Sequence, residues 1–556
     1  MWPFTGYPEL SASQVGGKTY DYIINIVLAG GTAGCVLASR LSEDHNVSVL
    51  VVEKGHVKDN LVSRMPLMSQ NFWLGDPLQV ELYFRKSENA AAHPGSVCRG
   101  HDGLINIQQS SLPFKWFEFT KKAARNLGLP VEEDCNDPTS PAMGLFHLDM
   151  AIDERGRRVS AYRAFLNNHI AIERKKHLFV CTGVVASRLD VDNEAGIVRG
   201  VYIRPVHQSA GRLSTDVYVK ARREVIVCSG AICSPALLML SVGTTLQDHC
   251  SFAIMMEFPS SETLTFLESV WGLWHIILWF LFGKGLFAIG STPPSIFIRT
   301  TAIDSKTMSI DNNAGNMNPL DSRNIPDVEI MIQPVNSLER HVPGRSLMSF
   351  YPTLVQPFSI GSVELAEKDP LANPRINHPL LRDSRDLIPM RHAARFTMKL
   401  AEEFQNSGYP FNAPMAFAPG VNLNQLEEWE MSGPNALTNP EAAAIARQRR
   451  ERVEASKALS QTKTAARSWK TVTDDEIDDY VRRVAMGSLH VSCTCPMSND
   501  AKSGVVDQQL RVHGMRNLRV ADASVFRKIL NAYTMAPTIM VAERCADFIK
   551  SAWKER

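Results

Sequence analysis

Gly31 and Gly34, in the stretch IINIVLAGGTAGCVLASRL from Ile23 to Leu41, are spaced like the last two glycines of a G-x-G-x-x-G turn. Glycine at the second position of that turn lets the backbone approach a diphosphate. At the third it lets a helix pack closely on a strand. Ala29 stands where the first glycine belongs, and the neighbouring Gly30 supplies part of the missing freedom. An alanine driven to positive φ costs on the order of 1 kcal/mol, which weakens such a loop without abolishing it. Glu53 follows about 20 residues after Gly31, the distance at which a carboxylate meets a ribose hydroxyl. A carboxylate there selects FAD or NAD over a cofactor carrying a 2′-phosphate. Near the other end of the chain, LRVADASVF reads as a strand ending at Asp522, ahead of a helix-like APTIMVAERCADFI. Next to the first loop, that strand end would place Asp522 by the diphosphate and ribityl of a long flavin cofactor.

Such residues need a covered parallel sheet to hold them. YIINIVLAGG reads as a buried strand, and AGCVLASRLSED as a helix with Cys35, Leu37 (or Val36), Ala38 and Leu41 near one face. Val47 to Lys54, closed by Gly55, reads as a second strand, and both strands are unbroken apolar runs, as a sheet covered on two faces requires. The β-rich pattern resumes at Leu178 with LFVCTGVVASRLDVD, GVYIRPV and REVIVCSGAICSPALLMLS. From Ser251 the rhythm becomes mixed, with strand-like runs such as DVEIMIQPV. Residues 440–470, rich in Ala, Arg, Glu and Lys, read as a solvated helical face. TDDE, Thr473 to Glu476, reads as a capping box opening a helix toward Arg483. Nucleotide-fold signals at both ends and in the middle imply one discontinuous domain with a second inserted in pieces.

The bulk properties narrow the function classes. A chain of 556 residues has room for several domains and a sizeable core. With 59 basic and 58 acidic residues, it has no bulk charge to hold a nucleic acid. Ten cysteines are too few for a disulfide scaffold, and none form paired C-x-x-C units, so no metal site is expected. The N-terminal residues show no basic stretch followed by an apolar one, so an intracellular, cytoplasmic protein is expected. VWGLWHIILWFLFG, Val270 to Gly283, falls short of the roughly 20 apolar residues of a membrane span and reads as a buried or interfacial helix. Its aromatic content hints at an aromatic or aliphatic substrate.

In order along the chain, AGGTAGCVLASRLSED…VSVLVVEKG, REVIVCSGAICSPALLMLS, LQDH, PFSIGSVELAEKDPLANPRI and SGVVDQQLRVHGMRNLRVADASVF…APTIMVAERCADFI resemble the glucose–methanol–choline (GMC) oxidoreductases. These are FAD enzymes that oxidise alcohols, and the likeness is to the choline dehydrogenase and aryl-alcohol oxidase type. The resemblance implies an α/β fold with a discontinuous Rossmann-like FAD-binding domain and an α+β substrate domain built on a mixed sheet. Residues 20–80, 176–250 and 486–556 would form the FAD-binding domain, 251–485 the substrate domain, and 81–175 a connecting, mostly substrate-side segment.

It also implies roles. Gly30, Gly31, Thr32, Ala33, Gly34 and Glu53 would bind the ADP half of FAD, and Ala186 the adenine through its backbone. Asp522 and Ala523 would meet the diphosphate, and Thr534 and Met535 the flavin ring. The histidine of the family's H-x-x-G-T stretch is His490, here in LHVSCTC, and would take the alcohol proton while hydride passes to flavin N5. His249 of LQDH reads as structural support near the domain boundary.

Four departures from the family pattern stand out. A flavin-covering segment is missing between Val80 and Tyr83, and a second segment is missing after Ser241. Tyr533 occupies the second catalytic position, usually His or Asn, where it would hydrogen-bond the substrate oxygen. Cys493 replaces the glycine of H-x-x-G-T. A small-molecule alcohol is the expected substrate. The rival readings are a catalytically impaired remnant and an NAD-dependent dehydrogenase, which leaves the C-terminal motifs unexplained.

Overall fold

The computed structural model describes residues 6–26, 31–56, 64, 83–109, 113–206, 216–238, 242–290, 294–313, 317–337, 345–367, 369, 371–421 and 468–554. Ala29, Gly30, the junction from Val80 to Leu82, Ser241 and the charged segment through residue 467 lie outside the described residues.

The first sheet runs in the order Glu9–Leu10, Leu178–Cys181, Val49–Glu53, Thr19–Ile26, Val217–Val227, Ile197–Pro205, Val184–Asp192. Leu518–Val520 pairs in parallel with the far end of Val217–Val227, and the strands from Glu9–Leu10 to Val217–Val227 are also mutually parallel. The last two strands turn back as an antiparallel meander. Every residue of Val49–Glu53 is buried, as its unbroken apolar run requires.

The helix Thr32–Leu41 differs from the one-faced pattern expected of it. Ala33 to Ser39 and Leu41 are all buried, because the helices Met535–Lys554 and Ala161–Phe165 cover the sides that the sheet leaves open. One ion cluster locks this packing. Arg40 Nε donates to both carboxylate oxygens of Glu543, at 2.8 and 3.0 Å, and Lys86 Nζ lies 2.9 Å from the same group. The Glu543 side chain has no exposure to solvent.

The second sheet orders Met415–Phe417, Ile254–Glu257, Leu347–Leu354, Val328–Gln333, Pro294–Ile298, Gly144–His147 and Val131–Glu132. Only its last pair is parallel. Val328–Gln333 and Leu347–Leu354 are buried throughout, with the helix Leu387–Gln405 packed on them. Thr473 caps the helix Asp474–Val484 with the reciprocal bonds of a capping box.

Trp271–Phe282 is a helix, but not a buried one. Gly272 and Trp279 are covered, while Trp271, Leu273, Trp274, Ile277, Phe280, Leu281 and Phe282 are exposed. Trp279 anchors it, its indole N–H donating to Gly156 O at 2.7 Å. Among the described residues, no helix is long and apolar enough to cross a membrane.

Removing Glu543 takes away the shared buried carboxylate and leaves Arg40 with Glu43 and the partly exposed Lys86 with Asp547. Glu543→Ala is expected to lower unfolding free energy by about 3 kcal/mol, the low end of the usual loss when one partner of a buried pair is removed, because each cation keeps a second carboxylate. Chemical denaturation of the variant against the parent checks this.

Candidate active site

Four strands of the first sheet end side by side. Asn25 is in register with Val227, Val227 with Val520, and Ile26 with Glu53. Where parallel strands end and their connections diverge, a crevice opens, and open α/β sheets bind ligands there. Gly31 is the N-cap of Thr32–Leu41, so a helix N-terminus, favourable to anions, faces that crevice with no Cβ at its entrance. Thr32, Ala33 and Gly34 form the first turn of the helix. Glu53 ends its strand buried, accepting the Gly55 N–H at 2.7 Å. Ala186 lies buried in Val184–Asp192, a strand that also packs on Val49–Glu53 and on the helix Gly230–Leu238.

Asp522 follows the third of these strands, and its carboxylate serves the protein. One oxygen accepts from Gly230 N–H at 2.9 Å and Ser234 hydroxyl at 2.6 Å; the other accepts from Ser524 N–H at 2.9 Å. The carboxylate therefore braces two loops against each other. Thr534 and Met535 open the long C-terminal helix, with Met535 buried.

The histidines meet between the two sheets. Nδ1 of His490 lies 2.9 Å from Nδ1 of His249, the rings being nearly perpendicular at 85°. His249 Nε2 lies 2.9 Å from Leu530 O. The His490 backbone N–H donates to Asp248 at 2.8 Å. Its Nε2 is buried, with no hydrogen-bond partner among the described residues. Burial, and then the neighbouring His249, hold the His490 imidazole well below the ordinary histidine range. Burial likewise pushes His249 down to about 4. His249 thus touches the candidate base directly, a contact that its place in LQDH alone did not reveal.

Tyr533 stands edge-on to His490, with ring centroids 5.3 Å apart. Its hydroxyl differs from the expectation of a bond toward substrate: it donates to Glu329 at 2.8 Å, and Ser295 hydroxyl donates to the same oxygen at 2.6 Å. Sequence reasoning missed Glu329. The available signal was a carboxylate inside the apolar run DVEIMIQPV, since buried acids without a role are rare. Burial raises Glu329 to about 7.

The residues present suit a flavin cofactor in kind: a helix N-terminus without a Cβ at Gly31, a buried carboxylate at the end of Val49–Glu53, and an imidazole nitrogen of His490 with no hydrogen-bond partner among the described residues. Soon after Ser241 the chain is tied down at Gly243. Gly243 N–H donates to Thr494 O at 2.9 Å, and Gly243 O accepts from Val363 N–H at 2.7 Å.

Because Glu329 holds its proton to higher pH when folded, the folded chain binds more protons than the unfolded one between about 4.5 and 7. Its contribution to stability therefore falls as pH rises through that window. Glu329→Gln keeps an acceptor for both hydroxyls and cannot ionise. The variant is expected to match the parent's pH dependence below pH 4.5 and to gain on it by on the order of 2–3 kcal/mol above pH 7, as denaturation across that range would measure.

Two family models, both described as GMC oxidoreductase, match residues 75–250 and 357–542. The chain is 25% identical to the dehydrogenase Str4 of Strobilurus tenacellus, over 96% of this chain and 94% of that one. It is 27% identical to the oxygen-dependent choline dehydrogenase of Burkholderia mallei, with the same coverage. The first of these alignments runs over 632 residues, more than the 556 of this chain, so the relatives carry internal segments that it lacks. A formate oxidase of Aspergillus oryzae RIB40 superposes with a TM-score of 0.74 at 21% identity, covering 97% of this chain and 99% of that one. A fungal aryl-alcohol oxidase superposes with a TM-score of 0.67 at 17% identity, covering 96% and 99%. With its crevice at the strand ends, its FAD-type fold and these matches, the chain belongs to the GMC oxidoreductase family, whose cofactor is FAD.

Proposed function

We propose that this oxidoreductase converts a primary alcohol to the aldehyde, with His490 Nε2 taking the hydroxyl proton. The observation that carries this reading is a basic nitrogen buried without a protein partner beside the nucleotide crevice. A neutral imidazole there accepts a proton at once, and its lowered pKa keeps it neutral at physiological pH. FAD, when bound, supplies the acceptor for the hydride. Gly30, Gly31, Thr32, Ala33, Gly34 and Glu53 would hold its ADP half, Ala186 the adenine, the backbone of Asp522 and Ala523 the diphosphate, and Thr534 with Met535 the ring.

In this reading residues 20–80, 176–250 and 486–556 are the cofactor side, 251–485 the substrate side and 81–175 the connection. Tyr533, its hydroxyl engaged by Glu329, forms the wall against which the base packs. Several relatives bear the names of alcohols, choline and aryl alcohols among them, which supports a small-molecule alcohol as substrate. The final acceptor is oxygen or another electron carrier.

A second reading, a family member impaired in catalysis, is favoured by the missing segment before Tyr83. Without that cover the ring is less shielded from water and less firmly positioned.

The visible spectrum of the purified protein, followed by release of its flavin, separates the two. The first reading expects yellow protein with about one FAD per chain. It further expects His490→Ala to lose about 10²- to 10⁴-fold in turnover with flavin retained. In the parent, kcat/KM should fall on the acid side only below the ordinary histidine pKa of about 6.5. Colourless protein that takes up no added FAD supports the second reading, and undiminished turnover in His490→Ala removes His490 as the base.

A further inference from the structure

We infer that His249 is a positioning residue that sets the tautomer of His490, and so decides that Nε2 is the bare nitrogen. This rests on the reading of His490 as the base.

A backbone carbonyl only accepts hydrogen bonds. Leu530 O, 2.9 Å from His249 Nε2, therefore requires that nitrogen to carry a proton. Full burial keeps His249 neutral, and a neutral imidazole has a single N–H. Its Nδ1 is then a lone pair. Two lone pairs facing each other at 2.9 Å repel, so the proton between the rings belongs to His490 Nδ1. That assignment strips His490 Nε2 of its proton. It is the same nitrogen that has no hydrogen-bond partner.

Asp248 completes the constraint. One of its oxygens accepts the His490 backbone N–H at 2.8 Å, and the other lies 3.0 Å from His378 Nε2. His490 is thereby held at its main chain as well as at its ring. An unconstrained neutral imidazole populates both tautomers, and the one protonated at Nε2 is no base at that atom.

The same geometry gives the proton a single route. When His490 Nε2 takes a proton, His490 Nδ1–H still donates to His249. Passing that proton on would make His249 the cation, and His249 Nε2–H would still face a carbonyl that cannot be protonated. The chain stops there, so the proton leaves by the nitrogen through which it entered.

The test is ¹⁵N NMR of the full-length protein labelled at histidine, with the His490 signals identified by their loss in His490→Gln. The expected result is a non-protonated Nε2 and a protonated Nδ1 at His490 in the parent, and a mixed or reversed pattern in His249→Leu. In turnover, His249→Leu is expected to lose about 10- to 100-fold in kcat, as when a group orienting a reactive one is removed, with KM little changed and the acid limb displaced. His249→Asn, whose side-chain carbonyl overlays the place of Nδ1 and can accept from His490 Nδ1–H, is expected to recover part of the loss. A protonated Nε2 in the parent overturns the inference, as does an unchanged tautomer in His249→Leu. The parent spectrum decides even where the Leu variant fails to fold. A parent with the expected tautomer but full turnover in His490→Ala would remove the base reading and leave the tautomer assignment standing.

Discussion

The two sheets are joined by a short antiparallel contact on which the site depends. Gln247 and Ser492 exchange backbone bonds at 3.2 and 2.9 Å, and Ser488 N–H donates to His249 O at 3.1 Å. From this bracket the side chains reach outward. Gln247 accepts the Ile529 N–H at 2.9 Å, while His249 meets Leu530 O and His490. Three segments distant in sequence are thereby held in one place, and the segment ending at Tyr533 leads directly into the C-terminal helix that packs on Thr32–Leu41. The bracket thus couples the histidines mechanically to the nucleotide crevice. Loosening it would move the histidines and the strand ends relative to each other, and a reaction between positioned groups is sensitive to displacements of about 1 Å.

Neutrality is the second theme. His249, His490 and Glu329 are all fully buried, and burial shifts each toward its uncharged form, the histidines downward and the carboxyl upward. Glu329 is met by two hydroxyl donors, Ser295 and Tyr533. The neighbouring carboxylate, Asp248, is tied to the His490 backbone N–H and lies 3.0 Å from His378 Nε2, and other buried charges are paired, as Arg40 with Glu543 and Arg519 with Glu224, which clamp helices and strands of the first sheet. Buried charge is thus partnered throughout these pairs, since an unpaired charge is costly to bury.

Local strain surrounds His490. Leu489, next to His490, has φ 60°, and Cys493 has φ 72°. Both lie in the left-handed region, which costs an L-residue roughly 1–2 kcal/mol. Glycine adopts it freely, which explains why a glycine suits the position of Cys493 in H-x-x-G-T and why a cysteine there needs support. Its N–H donates to Ala523 O at 3.1 Å, and its carbonyl accepts from Thr245 hydroxyl at 2.6 Å. Burial raises its thiol to about 12, so it stays neutral and inert.

Local pattern was enough to read the strands around Ile23 and Val49, the helix read from Ala33, the capping box at Thr473 and the family itself, because each depends on neighbours in the chain or on short motifs. Sequence alone also singled out His490 and Tyr533. What it left undecided were partners brought together across long separations. It did not reveal that His249 touches His490, that Tyr533 donates to a glutamate on the second sheet, or that the Asp522 carboxylate is spent on Gly230 and Ser234. Nor did it show that Thr32–Leu41 is covered nearly all round while the more apolar Trp271–Phe282 stands exposed. Periodicity reports which face of an element is apolar, and only the packing of distant elements determines what that face meets and which nitrogen of a histidine is left bare.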